Sequence, residues 1–199
     1  MISEEYLIDT GCPSLIVSFG GYDQGVGCIR PFEFLRFLQK RFPNSDKYFV
    51  KDTYCSCYHK GIGGISTNIN ETKEYIQEKI KGYSKVLFLG ISGGGYAAIL
   101  FGSLLGVNYV LAFIPQTILR KDDKDPEYKN ISKYINNVTV YKVYGDLSVK
   151  NPLDPHHISQ CENIESFKNV EVIKRESLNF KRLRDSGELI DIISKFNLK

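Results

Sequence analysis

The pentapeptide Gly90-Ile91-Ser92-Gly93-Gly94 is the segment of this 199-residue chain best equipped for chemistry. It follows an apolar run, Lys85 to Ile91 (KVLFLGI), and leads into a small-residue stretch from Gly94 to Leu105 that reads as a helix. Between a strand and a helix, G-x-S-x-G places the serine on a strained turn that lifts its Oγ above a sheet. The flanking small residues let strand and helix approach closely. The N–H of Gly93 then points to where an acyl oxyanion would form. Two other readings of such a turn exist: it holds a phosphate at a helix N-terminus, or it holds nothing. No Lys-Ser/Thr follows the glycines, which argues against a P-loop. Gly93, Gly95 and Ala98 fit a loose G-x-G-x-x-A, but the next strand ends at Ile114-Pro115 with no acidic residue to hold a ribose. The chemistry expected is acyl transfer through Ser92.

A second glycine loop, Phe19-Gly20-Gly21-Tyr22, ends the run Leu15 to Phe19. Two such loops at strand ends can converge on one crevice, where parallel sheets bind ligands. Gly20, Gly21 and Tyr22 are therefore candidates for the second oxyanion donor, beside Gly93. A serine hydroxyl is a weak nucleophile at neutral pH and needs a base. The chain has three histidines, His59, His156 and His157. Asp146 directly follows the stretch Val138 to Gly145, and Asp154 stands in the segment LDPHH. Either aspartate could instead cap a turn or helix.

The elements that must position these residues alternate. Pro31 to Phe42 has helical apolar spacing, closed by Pro43. Tyr48 to Val50 reads as a short strand. Glu71 to Ile80 reads as a helix with Asn70 as its N-cap. Tyr109 to Ile114 is a doubly apolar strand, as a buried parallel strand should be. Val138 to Tyr144 is a further strand, a short helix follows Asp154, Val170 to Ile173 is the last strand, and an amphipathic helix runs to about Phe196. Strands alternating with helices give βαβ units with right-handed crossovers. The expected fold class is α/β: a three-layer sandwich, a mostly parallel six-stranded sheet with helices on both faces, in a single domain over residues 1–199.

Composition narrows the function classes. The 26 basic and 23 acidic residues leave a net charge of +3, too balanced for a nucleic-acid footprint. Lys181, Arg182 and Arg184 read as a solvated helix face. The five cysteines are odd in number and lack paired CxxC spacing, so neither a disulfide framework nor a zinc site is expected, and a reducing cytoplasm is the simplest compartment. The first residues, MISEEYLIDTG, lack the basic and apolar regions of a signal peptide. No run of 18 apolar residues suggests a membrane span. No cofactor or metal is expected.

With these segments in view, the sequence resembles the α/β-hydrolase superfamily. More narrowly it is similar to a group of short bacterial hydrolase-like proteins, some associated with surface-glycan genes. The resemblance is carried by YHKGIGGISTNINET, LFLGISGGGYAAILFGSLLG and AFIPQT between Tyr58 and Thr117, and by LRDSGELIDII from Leu183 to Ile193. It implies a minimal α/β-hydrolase fold and a triad in the order Ser, acid, His. The group's D-x-x-H pattern, matched by Asp154 and His157, favours Asp154 as acid, with Asp146 the alternative. The group also shows a histidine after the last strand, where this chain has Leu178. His156, His157 or His59 could supply the base from another loop. The expected function is a serine esterase, acetyl-esterase-like, or an acyltransferase, acting on a small-molecule or glycan ester. The charged segment from Gln116 to Ile135, the one candidate cap, suits a polar substrate. The alternative is a degenerate binding module, with Leu178 in place of the usual histidine.

Overall fold

The computed structural model describes residues 4–22, 31–120 and 124–198. Seven strands form one sheet in the order β1-β3-β2-β4-β5-β6-β7. They are β1 (Glu5–Ile8), β2 (Ser14–Phe19), β3 (Asp46–Val50), β4 (Lys85–Ile91), β5 (Tyr109–Phe113), β6 (Val140–Asp146) and β7 (Val170–Arg175). All neighbours are parallel except β1, which pairs antiparallel with β3. The sheet therefore has seven strands rather than the six expected. The extra one is a four-residue edge strand whose Tyr6 and Leu7 face solvent, so no buried alternation marked it.

Helices α1 (Leu35–Arg41), α2 (Ile69–Ile80), α3 (Gly93–Leu105), α4 (Ser159–Glu162), α5 (Phe180–Asp185) and α6 (Glu188–Ser194) complete the layers. Alternation along the strands divides the core in two. Leu15, Val17, Phe19 and Phe88 pack with α2 and α3 on one face. Ile16, Leu87 and Leu89 pack with α1, α5 and α6 on the other. Three expected boundaries move. Helix α1 begins only after Phe34, whose φ of 62° is incompatible with helix. The cap of α2 is Asn68, which accepts from Glu71 N–H, while the Glu71 carboxylate accepts from Thr67 N–H. The final helix is two, broken where Gly187 takes φ 86°.

Helix α3 is the element that serves the site. It is buried from Gly93 to Ser103, because Gly, Ala and Ser bring its axis close to the sheet. A Cβ at Gly102 would lie 2.4 Å from Val110 Cγ2. Strand order reverses between β2 and β4: β3 lies to one side of them and β5, β6 and β7 to the other. That reversal opens a crevice at the strands' carboxyl ends, between the loops after Phe19 and after Ile91. Among the described residues, no helix is long and apolar enough to cross a membrane.

Candidate active site

Ser92 occupies the turn between β4 and α3 with φ 54° and ψ −117°. A non-glycine residue in such a conformation costs on the order of 1–3 kcal/mol and persists only where its surroundings over-determine it. Here they do. Ser92 N–H donates to Phe113 O at 3.0 Å, and Ser92 O accepts from Tyr96 N–H at 2.9 Å. A Cβ at Gly90 would meet the Gly94 carbonyl at 2.2 Å, and one at Gly94 would meet Phe19 O at 2.2 Å. Those two glycines let strand, turn and helix close around the serine.

The loop after β6 brings the second group. Ser92 Oγ lies 2.7 Å from His156 Nε2. Asp154 Oδ1 accepts the His156 backbone N–H at 2.8 Å and stands 3.5 Å from its ring Nδ1. Serine, imidazole and carboxylate thus form a chain, with aspartate and histidine two residues apart in one turn. Gln116, just beyond the β5 end, directs Nε2 to Ser92 Oγ at 3.5 Å. Gln116 opens the segment expected to be a cap; its proximity to Ser92 follows from β5 lying next to β4.

The expectation that His157 meets Ser92 is corrected to its neighbour. His157 Nδ1 contacts Ser159 Oγ at 3.0 Å and accepts from Ser159 N–H at 3.2 Å, so that ring caps the start of α4. Consecutive residues in a turn cannot both face one point, and His156 takes the inward position. His59 is engaged elsewhere: its Nε2 lies 2.9 Å from Tyr96 Oη and its Nδ1 accepts from Asp125 N–H. Asp146 accepts from Ser148 N–H at 2.8 Å and from Leu178 N–H at 3.0 Å. Burial alone would raise its carboxyl, but these bonds outweigh burial and hold it below the usual range. Leu178 packs against the apolar layer of α1, α5 and α6.

The loop after β2 is partly committed. Gly20 N–H donates to Val50 O at 2.8 Å, and Gly21 N–H to Glu33 Oε1 at 3.0 Å. Neither of these two amides is thus turned to Ser92. The Tyr22 ring covers Gly93, 3.3 Å from where a Cβ would stand. Its hydroxyl contacts Cys57 Sγ at 2.8 Å. Burial, then the neighbouring Cys57, pushes the Tyr22 phenol far up, so it stays protonated.

These groups line a cleft of about 360 Å³ bounded by Tyr22, Ile118, Arg120, Lys124 and Leu153 around Ser92, Gln116 and His156. A larger groove of about 1140 Å³ between α1 and α5 contains none of Ser92, His156 or Asp154.

No protein-family model and no curated protein matches the sequence. Solved structures do match. MGS-MChE2, an α/β-hydrolase enzyme from the metagenome of lagoon sediments, superposes with a TM-score of 0.60 at 14% identity, over 96% of this chain and 94% of that one. The fold is that of the α/β-hydrolases. FphF, a fluorophosphonate-binding serine hydrolase of Staphylococcus aureus, shares this α/β-hydrolase-like architecture with a TM-score of 0.57 at 12% identity, over 93% and 83% of the two chains. The capsule O-acetyltransferase of Neisseria meningitidis serogroup A gives a TM-score of 0.67 at 14% identity, over 98% and 92%.

Proposed function

We propose that this α/β-hydrolase-like chain is a serine acyl hydrolase or acyltransferase, with Ser92 as nucleophile, His156 as general base and Asp154 as the acid that orients it. The observation that carries the reading is the 2.7 Å contact between Ser92 Oγ and His156 Nε2, backed by Asp154 in the same turn. The order Ser, Asp, His matches that of other α/β-hydrolase triads.

The reaction follows from the geometry. Ser92 Oγ bonds to the acyl carbon while His156 Nε2 takes the hydroxyl proton, and Asp154 faces the imidazolium that forms. The carbonyl electron pair moves onto oxygen. The amides of Gly93 and Tyr22 are the donors that would receive it, since those of Gly20 and Gly21 are engaged. Collapse breaks the bond to the alcohol, which leaves with the proton from His156. Water or a second hydroxyl, deprotonated by the same imidazole, then attacks the acyl carbon, and the bond to Ser92 Oγ breaks as the serine takes that proton back. Water gives hydrolysis; a sugar hydroxyl gives transfer. The likeness to a capsule O-acetyltransferase supports a glycan or small-molecule ester as substrate. The near balance of charge supports neither a nucleic acid nor a membrane as partner, and the odd cysteine count supports a cytoplasmic setting.

A fluorophosphonate probe tests the reading. Wild type is expected to label, while Ser92→Ala and His156→Ala, each shown folded by its circular dichroism, are not. No labelling of folded wild type would overturn the serine mechanism and leave a non-catalytic binding module.

A further inference from the structure

We infer that the Ser92 cleft selects acyl esters of vicinal diols, the pattern a sugar presents. Gln116 is the specificity residue, its Oε1 accepting the hydroxyl beside the ester oxygen; this rests on the serine acyl-transfer reading above. The orientation of the carboxamide follows from Ser92. In the state ready for attack, Ser92 Oγ gives its single proton to His156 Nε2, 2.7 Å away, so its next neighbour must be a donor. Gln116 Nε2 fills that place at 3.5 Å, which leaves Oε1 for another partner. At that length the bond is weak, so the side chain can turn to a ligand at little cost. Other acceptors around the cleft are engaged. Gln160 Oε1 accepts from Thr117 N–H and Ile118 N–H, both at 2.8 Å, and Tyr22 Oη contacts Cys57 Sγ. Gln116 Oε1 is the uncommitted side-chain acceptor among the described lining residues.

Topology gives the side of the site that Gln116 serves. Strand β4 lies between β2 and β5. Tyr22 reaches Gly93 from the β2 loop, so the amides assigned to the oxyanion stand on that side. Gln116 follows β5 and His156 follows β6, both on the other side. His156 must hand its proton to the departing oxygen, so the alcohol portion lies beside these two residues. A hydroxyl on the adjacent carbon, gauche to the ester oxygen, stands about one hydrogen-bond length (~2.8 Å) from it. That places it between His156 Nε2 and the Gln116 carboxamide, which both meet Ser92 Oγ. The backbone under Gln116 is fixed, because Gln160 clamps the next two residues and Thr117 O accepts from Ile131 N–H at 3.0 Å. A contact group on so rigid a frame loses less entropy on binding.

Three acetates test the inference. 2-Hydroxyethyl acetate carries the vicinal hydroxyl. 2-Fluoroethyl acetate keeps its size and electron withdrawal without its proton, and 3-hydroxypropyl acetate moves the hydroxyl one carbon farther away. Each kcat/KM is divided by the uncatalysed rate in the same buffer. The corrected value for the 2-hydroxyethyl ester is expected to exceed each of the others about 5- to 10-fold, the worth of one neutral hydrogen bond in a half-open site. Gln116→Met, which keeps the length of the side chain without the amide, should bring the ratio to about 1. Gln116→Glu, which keeps the acceptor, should retain it, and Lys168→Gln, at an exposed remote site, should leave it unchanged. A wild-type ratio near 1 in protein that labels at Ser92 overturns this inference alone. A ratio that survives Gln116→Met also overturns it and leaves Gln116 as a support for Ser92, as would a ratio lost equally in Gln116→Glu. Equal use of the 3-hydroxypropyl ester overturns the vicinal assignment. Absence of both Ser92 labelling and ester turnover overturns the acyl-transfer reading, and this inference with it.

Discussion

Replacing Asp154 by asparagine isolates the acid, because the amide oxygen can still accept the His156 N–H that shapes the turn. The change then removes charge and little else. The carboxylate and imidazole stand 3.5 Å apart, with side chains 39% and 33% exposed. At that distance two unit charges attract by about 1.2 kcal/mol at an effective dielectric of ~80 and about 2.4 kcal/mol at ~40, the range suited to so wet a pair. Converted to rate, loss of the charge should lower kcat/KM about 8- to 60-fold. A buried triad acid costs roughly 10⁴-fold when made an amide, so the expected loss is far smaller. The assay is hydrolysis of 4-nitrophenyl acetate at pH 8, paired with the rate of fluorophosphonate labelling. A fall of 10⁴ or more would refute the argument that exposure weakens the couple. A change under twofold, or a larger loss in Asp146→Asn than in Asp154→Asn, would remove Asp154 from the acid's role.

Adjacent histidines should differ sharply. His157→Ala should keep ester hydrolysis within about threefold of wild type, whereas His156→Ala should lose at least three orders of magnitude, as removal of a triad base does. Gly94→Ala should destabilise by about 3 kcal/mol or more, read from the urea midpoint, because its Cβ would meet the rigid Phe19 carbonyl at 2.2 Å. Asp146→Asn should flatten acid unfolding. The folded-state carboxyl lies below its usual 3.8, so its contribution is present above that value and disappears as pH falls through the folded value. Wild type should therefore lose stability relative to Asp146→Asn between about pH 5 and about pH 2, followed by urea midpoints across that range.

What the sequence disclosed, and what it hid, divides by range. Ser92 was legible because its signal is local: an apolar strand, a forced turn and a small-residue helix occupy consecutive residues. The parallel strands β2, β4 and β5 were legible because burial on both faces leaves continuous apolar runs. Strand β1 was not, being four residues long with half its side chains in water. The glycine loop after β2 was found, but the fate of its amides was not. Glu33 and Val50 reach Gly21 and Gly20 only through the folded arrangement. The choice between His156 and His157 turned on one residue of phase in a turn, where no repeat period exists to read. The D-x-x-H spacing pointed one residue too far, because the aspartate binds the backbone at i+2 and so directs that residue's ring inward.

Leu178 gives the last test of this arrangement. The resemblance places a histidine there, after β7, opposite an acid after β6. In this chain the acid is present as Asp146, but its Oδ2 accepts the Leu178 backbone N–H and so ties the two strand ends together. The carboxylate has a structural load in place of an imidazole to orient. The Leu178 side chain meanwhile joins the apolar layer around Phe180 and Leu183. Returning a histidine to 178 in a His156→Ala background should therefore not restore fluorophosphonate labelling. The imidazole would follow the leucine into apolar packing, where burial disfavours its charged form and a polar ring without partners costs stability. The double variant should stay unlabelled and melt below His156→Ala. Recovered labelling, lost again on adding Asp146→Asn, would show that Asp146 and residue 178 still face Ser92. The triad would then belong to two loops instead of the single Asp154–His156 turn.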